Sequence, residues 1–296
     1  MIVDFHVHST ASDGTCAPAE LAAQAARGGF AAMALTDHDN CDGVAELTSA
    51  PASTSTSSSR ATSSLRLIPG IELSIEPGEG FDKFHLLGLG IDPENTELKA
   101  FLRRVLDGRN ERNERILANF RRLGIEMGAE IFSYAHGEVL ARPHFARWLM
   151  DHGYASDVKD AFAKYLLPES PDATRCYEER YHPSQVEAIG VIHGAGGLAV
   201  MAHPKYWRRD WKMTGVDFAA AEKGLAALKD LGLDGVEALY QANTAEENIE
   251  FVRIATRLGY LKSAGSDFHG SNKPTIPLGM DVSDDYIAPL LKTLND

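Results

Sequence analysis

Cysteine is scarce in this chain. Its three residues, Cys16, Cys41 and Cys176, are an odd number without a framework spacing, so they read as reduced thiols rather than a disulfide scaffold. Basic residues are also short: 29 Lys and Arg stand against 42 Asp and Glu, a formal net charge of −13. That sign does not suit extended contact with a nucleic-acid backbone, so no stable DNA complex is expected. No apolar run approaches the roughly 18–20 residues that cross a bilayer, so no membrane association is expected. The start of the sequence has neither the basic n-region nor the apolar h-region of a secretory signal, and the cytoplasm is the expected location.

At 296 residues there is chain enough for one barrel, or for an α/β domain with an insertion. Apolar segments and turn signals alternate as β/α units. Strands are expected at Ile2–Phe5, Ala31–Leu35, Arg66–Ile75, Lys83–Gly90, Leu198–Ala202, Gly235–Leu239 and Leu261–Ala264. Helices are expected at Pro18–Arg27 and near 184–193, 217–231 and 246–258. This order favours a parallel sheet or barrel over an antiparallel sandwich. Residues 1–95 and 186–296 are read as the barrel, and the strandless stretch 96–185 as a small helical subdomain capping one mouth. The Ser/Thr/Ala-rich tract 49–64 cannot bury much apolar surface and is expected to be a flexible surface loop.

Metal-capable side chains recur at the strand ends. His6 and His8 follow the first strand and Asp13 the next turn; His38 follows the second strand in TDHD. Glu72 sits in PGIELS, His85 in FHLLGLG, His203 in MAHP, and Asp267 with His269 in GSDFHG. In α/β barrels the C-terminal ends of the strands converge on one mouth, where active sites are built. Side chains at i and i+2 of a strand point the same way, so His6 with His8, or Asp267 with His269, can share an ion. One isolated histidine is more often a structural residue; six with three carboxylates at strand ends point to metal.

Imidazole and carboxylate suit Zn²⁺, Mn²⁺ or Fe²⁺, and no cysteine stands at a ligand spacing, which argues against thiolate zinc. Nine ligands exceed the needs of one ion and match two or three, with a carboxylate such as Glu72 as the natural bridge. Three divalent ions bring +6 against −3 from Asp13, Glu72 and Asp267, leaving about +3 in such a site, which wants an anion. Phosphoester hydrolysis follows more naturally than amide hydrolysis, with a metal-activated hydroxide expected to attack phosphorus in line.

The order HVH, SDG, TDHD, PGIE, a strand histidine, HP and GSDFHG resembles the PHP (polymerase and histidinol phosphatase) family from Phe5 to Gly270. The likeness is strongest to its small bacterial members, which act on nucleotide phosphates, cyclic sugar phosphates or short RNA 5′ ends. The resemblance implies a distorted (β/α)7 barrel and a trinuclear centre, often of manganese. It would give His6, His8, Glu72 and Asp267 to one ion, Glu72, His85 and His203 to a second, and Asp13, His38 and His269 to a third.

Helix 97–122 carries an apolar stripe that includes Arg109, with Arg112 at its edge; an arginine on a buried face needs an anionic partner, from protein or substrate. ARPHFARWL resembles an Arg-Pro-His motif of the same PHP subgroup, which makes Arg142 and His144 substrate-phosphate contacts. His144 is also the first choice of general acid, since His203 and His269 cannot serve while ligated. Lys164 and Lys205 are weaker candidates for substrate contact, and for Tyr240 and Asn243 pocket and purely structural roles stand as alternatives. The expected substrate is a small phosphorylated compound: a nucleoside phosphate or 3′,5′-bisphosphate, or a ribose cyclic phosphate. Short RNA is the alternative, and an amidohydrolase on a similar barrel is the more distant rival. Replacing Asp267 or His8 by alanine is expected to abolish turnover and metal content together; full activity in a metal-depleted Asp267→Ala protein would sink the reading.

Overall fold

The computed structural model describes residues 1–49, 65–76, 84–135, 140–208 and 210–295. The tract read above as a flexible loop lies, from residue 50 to 64, outside the described residues. The chain divides into two compact units: Met1–Phe101 with Pro183–Asp296, and Leu102–His182.

The first unit is built on eight strands: β1 (Ile2–Val7), β2 (Phe30–Leu35), β3 (Arg66–Ile75), β4 (Phe84–Leu89), β5 (Leu198–Met201), β6 (Gly235–Tyr240), β7 (Leu261–Gly265) and β8 (Met280–Asp281). Their spatial order is β7-β6-β5-β4-β3-β2-β1-β8. Val7, the last residue of β1, bridges Phe268, just beyond β7, in parallel, so the sheet curls nearly shut. This is the distorted seven-stranded barrel, with a two-residue β8 added antiparallel to β1.

The sheet is not parallel throughout. β4 runs antiparallel to both β3 and β5. The chain between Ile75 and Phe84 is too short for the crossover of a dozen or more residues that parallel neighbours need, so β4 must double back. The reversal matters for the site. Because β4 runs the other way, its beginning lies where the other strands end, and His85, its second residue, joins the metal-capable residues there. Elsewhere helices supply the crossovers, among them α1 (Pro18–Arg27), with proline at its start where no N–H is missed.

Side chains from six strands, including Val3, Phe5, Ala34, Leu87, Leu89 and Val200, meet in one buried cluster with Ile287 and Leu290 of the C-terminal helix Asp284–Thr293. The β1 register slips between Asp4 and Val7. Phe5 thus belongs to that cluster while Val7 packs outward with Leu21 and Ala25 of α1, and His6 and His8 take the face opposite Val7.

The second unit has its own core, in which Ile116 and Phe120 of the helix Thr96–Arg122 pack with Phe145, Trp148 and Leu149 of the helix Arg142–Asp151. Among the described residues no helix is long and apolar enough to cross a membrane. Leu87 is fully buried in β4, so Leu87→Ala is expected to cost about 2–5 kcal/mol, read as a lower urea midpoint with little change in slope.

Candidate metal centre

Glu72 is the centre of the arrangement. Its Oε2 lies 3.3 Å from His6 Nε2, 3.2 Å from His8 Nε2 and 3.0 Å from His38 Nδ1. Its Oε1 lies 2.7 Å from His85 Nδ1 and 3.0 Å from His203 Nε2. Five imidazoles from four segments therefore converge on one buried carboxylate. Backbone pairing holds it in place: Glu72 N–H donates to Asp37 O and Asp39 N–H to Glu72 O, at 3.1 and 2.9 Å.

The remaining metal-capable residues complete the set. Asp267 Oδ1 is 3.6 Å from His6 Nε2 and 3.5 Å from His8 Nε2. Asp13 faces His269 Nε2 at 3.2 Å and His38 Nε2 at 3.8 Å. Four overlapping groups have donor atoms close enough to share an ion: His8, Asp13, His38 and His269; His6, His8 and Asp267; His6, Glu72 and His203; and His38, Glu72 and His85. All nine strand-end residues are thus brought together, and His6, His8, His38 and Glu72 each fall in more than one group. The groups therefore do not reproduce the three-way division that the resemblance implies.

The donor set fits divalent ions. His6 Nε2, His8 Nε2, His38 Nδ1 and Glu72 Oε2 are buried and make no hydrogen bond, although buried polar atoms are nearly always satisfied. Each faces the others across a gap that a cation would fill. The outer nitrogens are already committed: His6 Nδ1 donates to Glu237 Oε1 at 3.0 Å, and His269 Nδ1 to the Asp267 carbonyl at 2.8 Å. Such bonds fix the tautomer and aim the other nitrogen inward.

Local backbone is bent to the purpose. Asp39, His203 and Asp267 have φ of 53, 26 and 60°, and all three belong to the ligand motifs. Non-glycine residues held there cost energy and gather at functional sites. Gly265 has to be glycine, because a Cβ would strike the Glu237 carboxylate and the His6 side chain.

Electrostatics favour a bound cation. Burial pulls His38 down to about 3, so its imidazole is neutral and free to ligate. Burial also opposes the charged form of His8, but the neighbouring Asp267 and Glu72 carboxylates carry it up to about 9. Burial alone would raise Glu72 and Asp267, yet the surrounding histidines hold both well below the usual carboxylate range. The same negative field that keeps a proton on His8 would hold a metal in its place.

Several contributors carry no strong signal in the sequence. Glu237, fully buried in β6, accepts from His6 and, at 2.6 Å, from His203 N–H. Asp37 accepts from Ser9 N–H, Ser9 Oγ and Ser12 Oγ at 2.8, 2.7 and 2.5 Å, pinning the loop after His8. Asp4 ties Ser266 and Gly279 to β1. Lys273 lies 2.6 Å from Asp267 Oδ2, where the Tyr240 hydroxyl also donates, at 2.9 Å. A cavity of about 1390 Å³ opens from the ligands toward Lys205, Tyr206, Tyr240 and Lys273.

Other residues singled out in the sequence have local partners. Lys205 is paired with Glu247 at 2.6 Å, and the Asn243 amide donates to Asn248 at 3.0 Å. Arg109, Arg142, His144 and Lys164 lie in the second unit. Arg112, read as edging the apolar stripe, is buried, while Arg109 is half-buried. Arg142 stacks over Tyr177 and donates to Leu166 O at 3.4 Å; His144 Nδ1 accepts Ala141 N–H at 3.0 Å. Lys164 pairs with Asp160 at 2.7 Å on the surface. The Cys41 thiol is pushed up to about 12, first by burial and then by Asp42 and Asp37, which makes it no nucleophile.

Comparison with known proteins matches this geometry. A family model described as the PHP domain fits residues 4–165. The chain is similar to a 3′,5′-nucleoside bisphosphate phosphatase of Chromobacterium violaceum, 35% identical over 272 residues, covering 90% of this chain and 87% of that one. It is similar to the 5′-3′ exoribonuclease Rnm of Escherichia coli, 32% identical over 286 residues, covering 94% and 88%. A solved structure from Chromobacterium violaceum, described as an amidohydrolase with bound sulfate and no metal, superposes with a TM-score of 0.75 at 30% identity, over 99% of this chain and 95% of that one.

Two measurements check the centre. Glu237→Gln is expected to weaken divalent-metal binding about 10–100-fold with little change in thermal midpoint of the ion-free protein; unchanged affinity would remove Glu237 from the site. Because the His8 proton must leave before a cation binds, affinity should rise with pH from 6 to 8 and protons should be released. Calorimetric manganese titration in two buffers of different ionisation enthalpy reads this directly, and binding without proton release would contradict it.

Proposed function

The chain belongs to the PHP domain family, and on that premise we propose that it is a manganese-dependent phosphatase of small nucleotides. It is a hydrolase of phosphoric ester bonds, and the observation that carries this is the convergence of five imidazoles on the buried Glu72 carboxylate. Histidine and carboxylate together suit manganese, with zinc or iron as substitutes. His6, His8, Asp13, His38, Glu72, His85, His203, Asp267 and His269 would hold two or three ions. When bound, such ions supply Lewis acidity, which activates water near neutral pH and neutralises charge on phosphoryl oxygens.

The protein's own groups do the rest of the proposed chemistry. Glu237 and the Asp267 carbonyl keep the His6 and His269 rings aimed inward. Tyr240 holds Asp267 in its orientation. For the second unit we propose that Arg142 and His144 bind substrate phosphate, with Arg109 contributing charge; the exposed Lys164–Asp160 pair supports a structural reading for Lys164 better. Ala141 N–H donates to His144 Nδ1, which leaves the proton on Nε2, so Nε2 is the proposed donor to the leaving oxygen. The cytoplasm, which keeps thiols reduced, is the proposed compartment, in keeping with three free cysteines among the described residues.

The substrate class follows from charge and from kinship. A site that gathers several divalent ions favours a compact, multiply charged anion, and a net charge of −13 disfavours a long polynucleotide. The bisphosphate phosphatase relative supports a nucleoside 3′,5′-bisphosphate as substrate. The exoribonuclease relative supports a second reading, removal of nucleotides from short RNA 5′ ends.

A phosphate-release screen with manganese, across nucleoside bisphosphates, cyclic phosphates, sugar phosphates and dinucleotides, decides between them. We expect the bisphosphate to exceed the dinucleotide by about 10-fold or more in kcat/KM. Faster hydrolysis of the dinucleotide would move the assignment to the ribonuclease, and faster hydrolysis of an amide than of any phosphoester would overturn both.

A further inference from the structure

The two oxygens of Asp267 face opposite ways. Oδ1 looks toward the ligand imidazoles, 3.6 Å from His6 Nε2 and 3.5 Å from His8 Nε2. Oδ2 looks toward the cavity and takes the Lys273 ammonium at 2.6 Å. The Lys273 side chain is 39% exposed and lines the cavity that opens from the ligands. An ammonium has three donors, and Asp267 occupies one.

The turn bearing Lys273 is well fixed. Lys273 N–H donates to Gly270 O at 3.2 Å and Ser271 N–H to the Thr15 hydroxyl at 2.9 Å. The Asn272 amide donates to the Asp13 carbonyl at 2.8 Å, which binds the turn to a loop carrying another ligand. Lys205, the other lysine of the cavity, is differently placed. It is 15% exposed and committed to Glu247 at 2.6 Å and the Ala242 carbonyl at 2.8 Å. Of the two ammonium groups, the one on Lys273 has the freedom to meet a ligand.

Its charge changes what the site prefers. With Lys273 counted, the three ligand carboxylates contribute −2 rather than −3, and the added positive charge sits on the cavity side. A phosphate monoester carries close to two negative charges at neutral pH, a diester only one. An extra cation beside the reacting group favours the more highly charged ester, through charge-assisted contact with a terminal oxygen. We propose that Lys273 is a specificity-determining residue that contacts a terminal oxygen of the substrate phosphate and biases the site toward phosphate monoesters over diesters. The inference rests on the phosphoesterase reading above and adds to it a reason for phosphatase rather than nuclease action.

The test compares wild type, Lys273→Met and Lys273→Arg, each loaded with manganese, on p-nitrophenyl phosphate and methyl p-nitrophenyl phosphate, which share a leaving group. The ratio of kcat/KM for monoester over diester should fall about 10-fold or more in Lys273→Met and stay within about 3-fold of wild type in Lys273→Arg. A ratio unchanged in Lys273→Met overturns the proposal. So does loss of more than half of the bound manganese in that variant, because Lys273 would then only position Asp267. Calorimetry with inorganic phosphate and with dimethyl phosphate provides a second reading independent of turnover. Selective weakening of inorganic phosphate in Lys273→Met supports the proposal, and equal affinity in both proteins overturns it. If the wild type hydrolyses neither ester, the phosphoesterase reading fails, and the calorimetric comparison still decides the role of Lys273.

Discussion

A carboxylate without access to water has to be compensated by its surroundings, and in this protein the compensation comes from five histidines around Glu72. Stripping water from such a charge is expensive, and removing partners from a buried ion is more costly than never burying it. The barrel satisfies the demand by delivering imidazoles from β1, from the segment after β2, from β4 and from the segment after β5. The reversal of β4 belongs to the same requirement. Only an antiparallel strand can bring His85 to Glu72 from its beginning rather than its end.

Around that centre the polar groups form successive layers. Glu237, Asp4 and Asp37 are buried, and each bonds to a segment that carries one of the metal-capable residues. Their burial lends these bonds strength, since a low dielectric magnifies both the value of a partner and the penalty of losing one. The left-handed backbone at His203 and Asp267 shows the converse cost: conformations that a free peptide avoids are held where the metal-capable side chains converge.

Much of this was legible in the sequence, and the reason is positional. His6, His8, His38, His203, Asp267 and His269 announce themselves because metal-capable residues at strand ends recur more often than packing requires. Strand and helix periodicity likewise located β3 and α1 as they stand. Other features had no local signature. Glu237 alternates in β6 like any strand residue, and its role depends on a partner 231 positions away. Lys273 follows His269 by a turn with no repeating pattern, so its approach to Asp267 exists only in three dimensions. The antiparallel course of β4 was concealed by a strand pattern that says nothing of direction; the shortness of the 76–83 connection was the available clue. Arg109 and Arg112 exchanged their expected burial because a stripe read from helical spacing is accurate only to about one side chain.

The four buried donor atoms that make no hydrogen bond have a thermodynamic consequence. A fold that leaves such atoms unsatisfied is less stable by itself than with a cation among them, and a ligand that binds only the native state stabilises it in proportion to the logarithm of its concentration. Metal supply thereby becomes a determinant of how much folded protein a cell retains. Under divalent-ion scarcity the barrel opens more often, and proteolysis follows the opened fraction. The centre thus couples the lifetime of the polypeptide to the ionic composition of its surroundings.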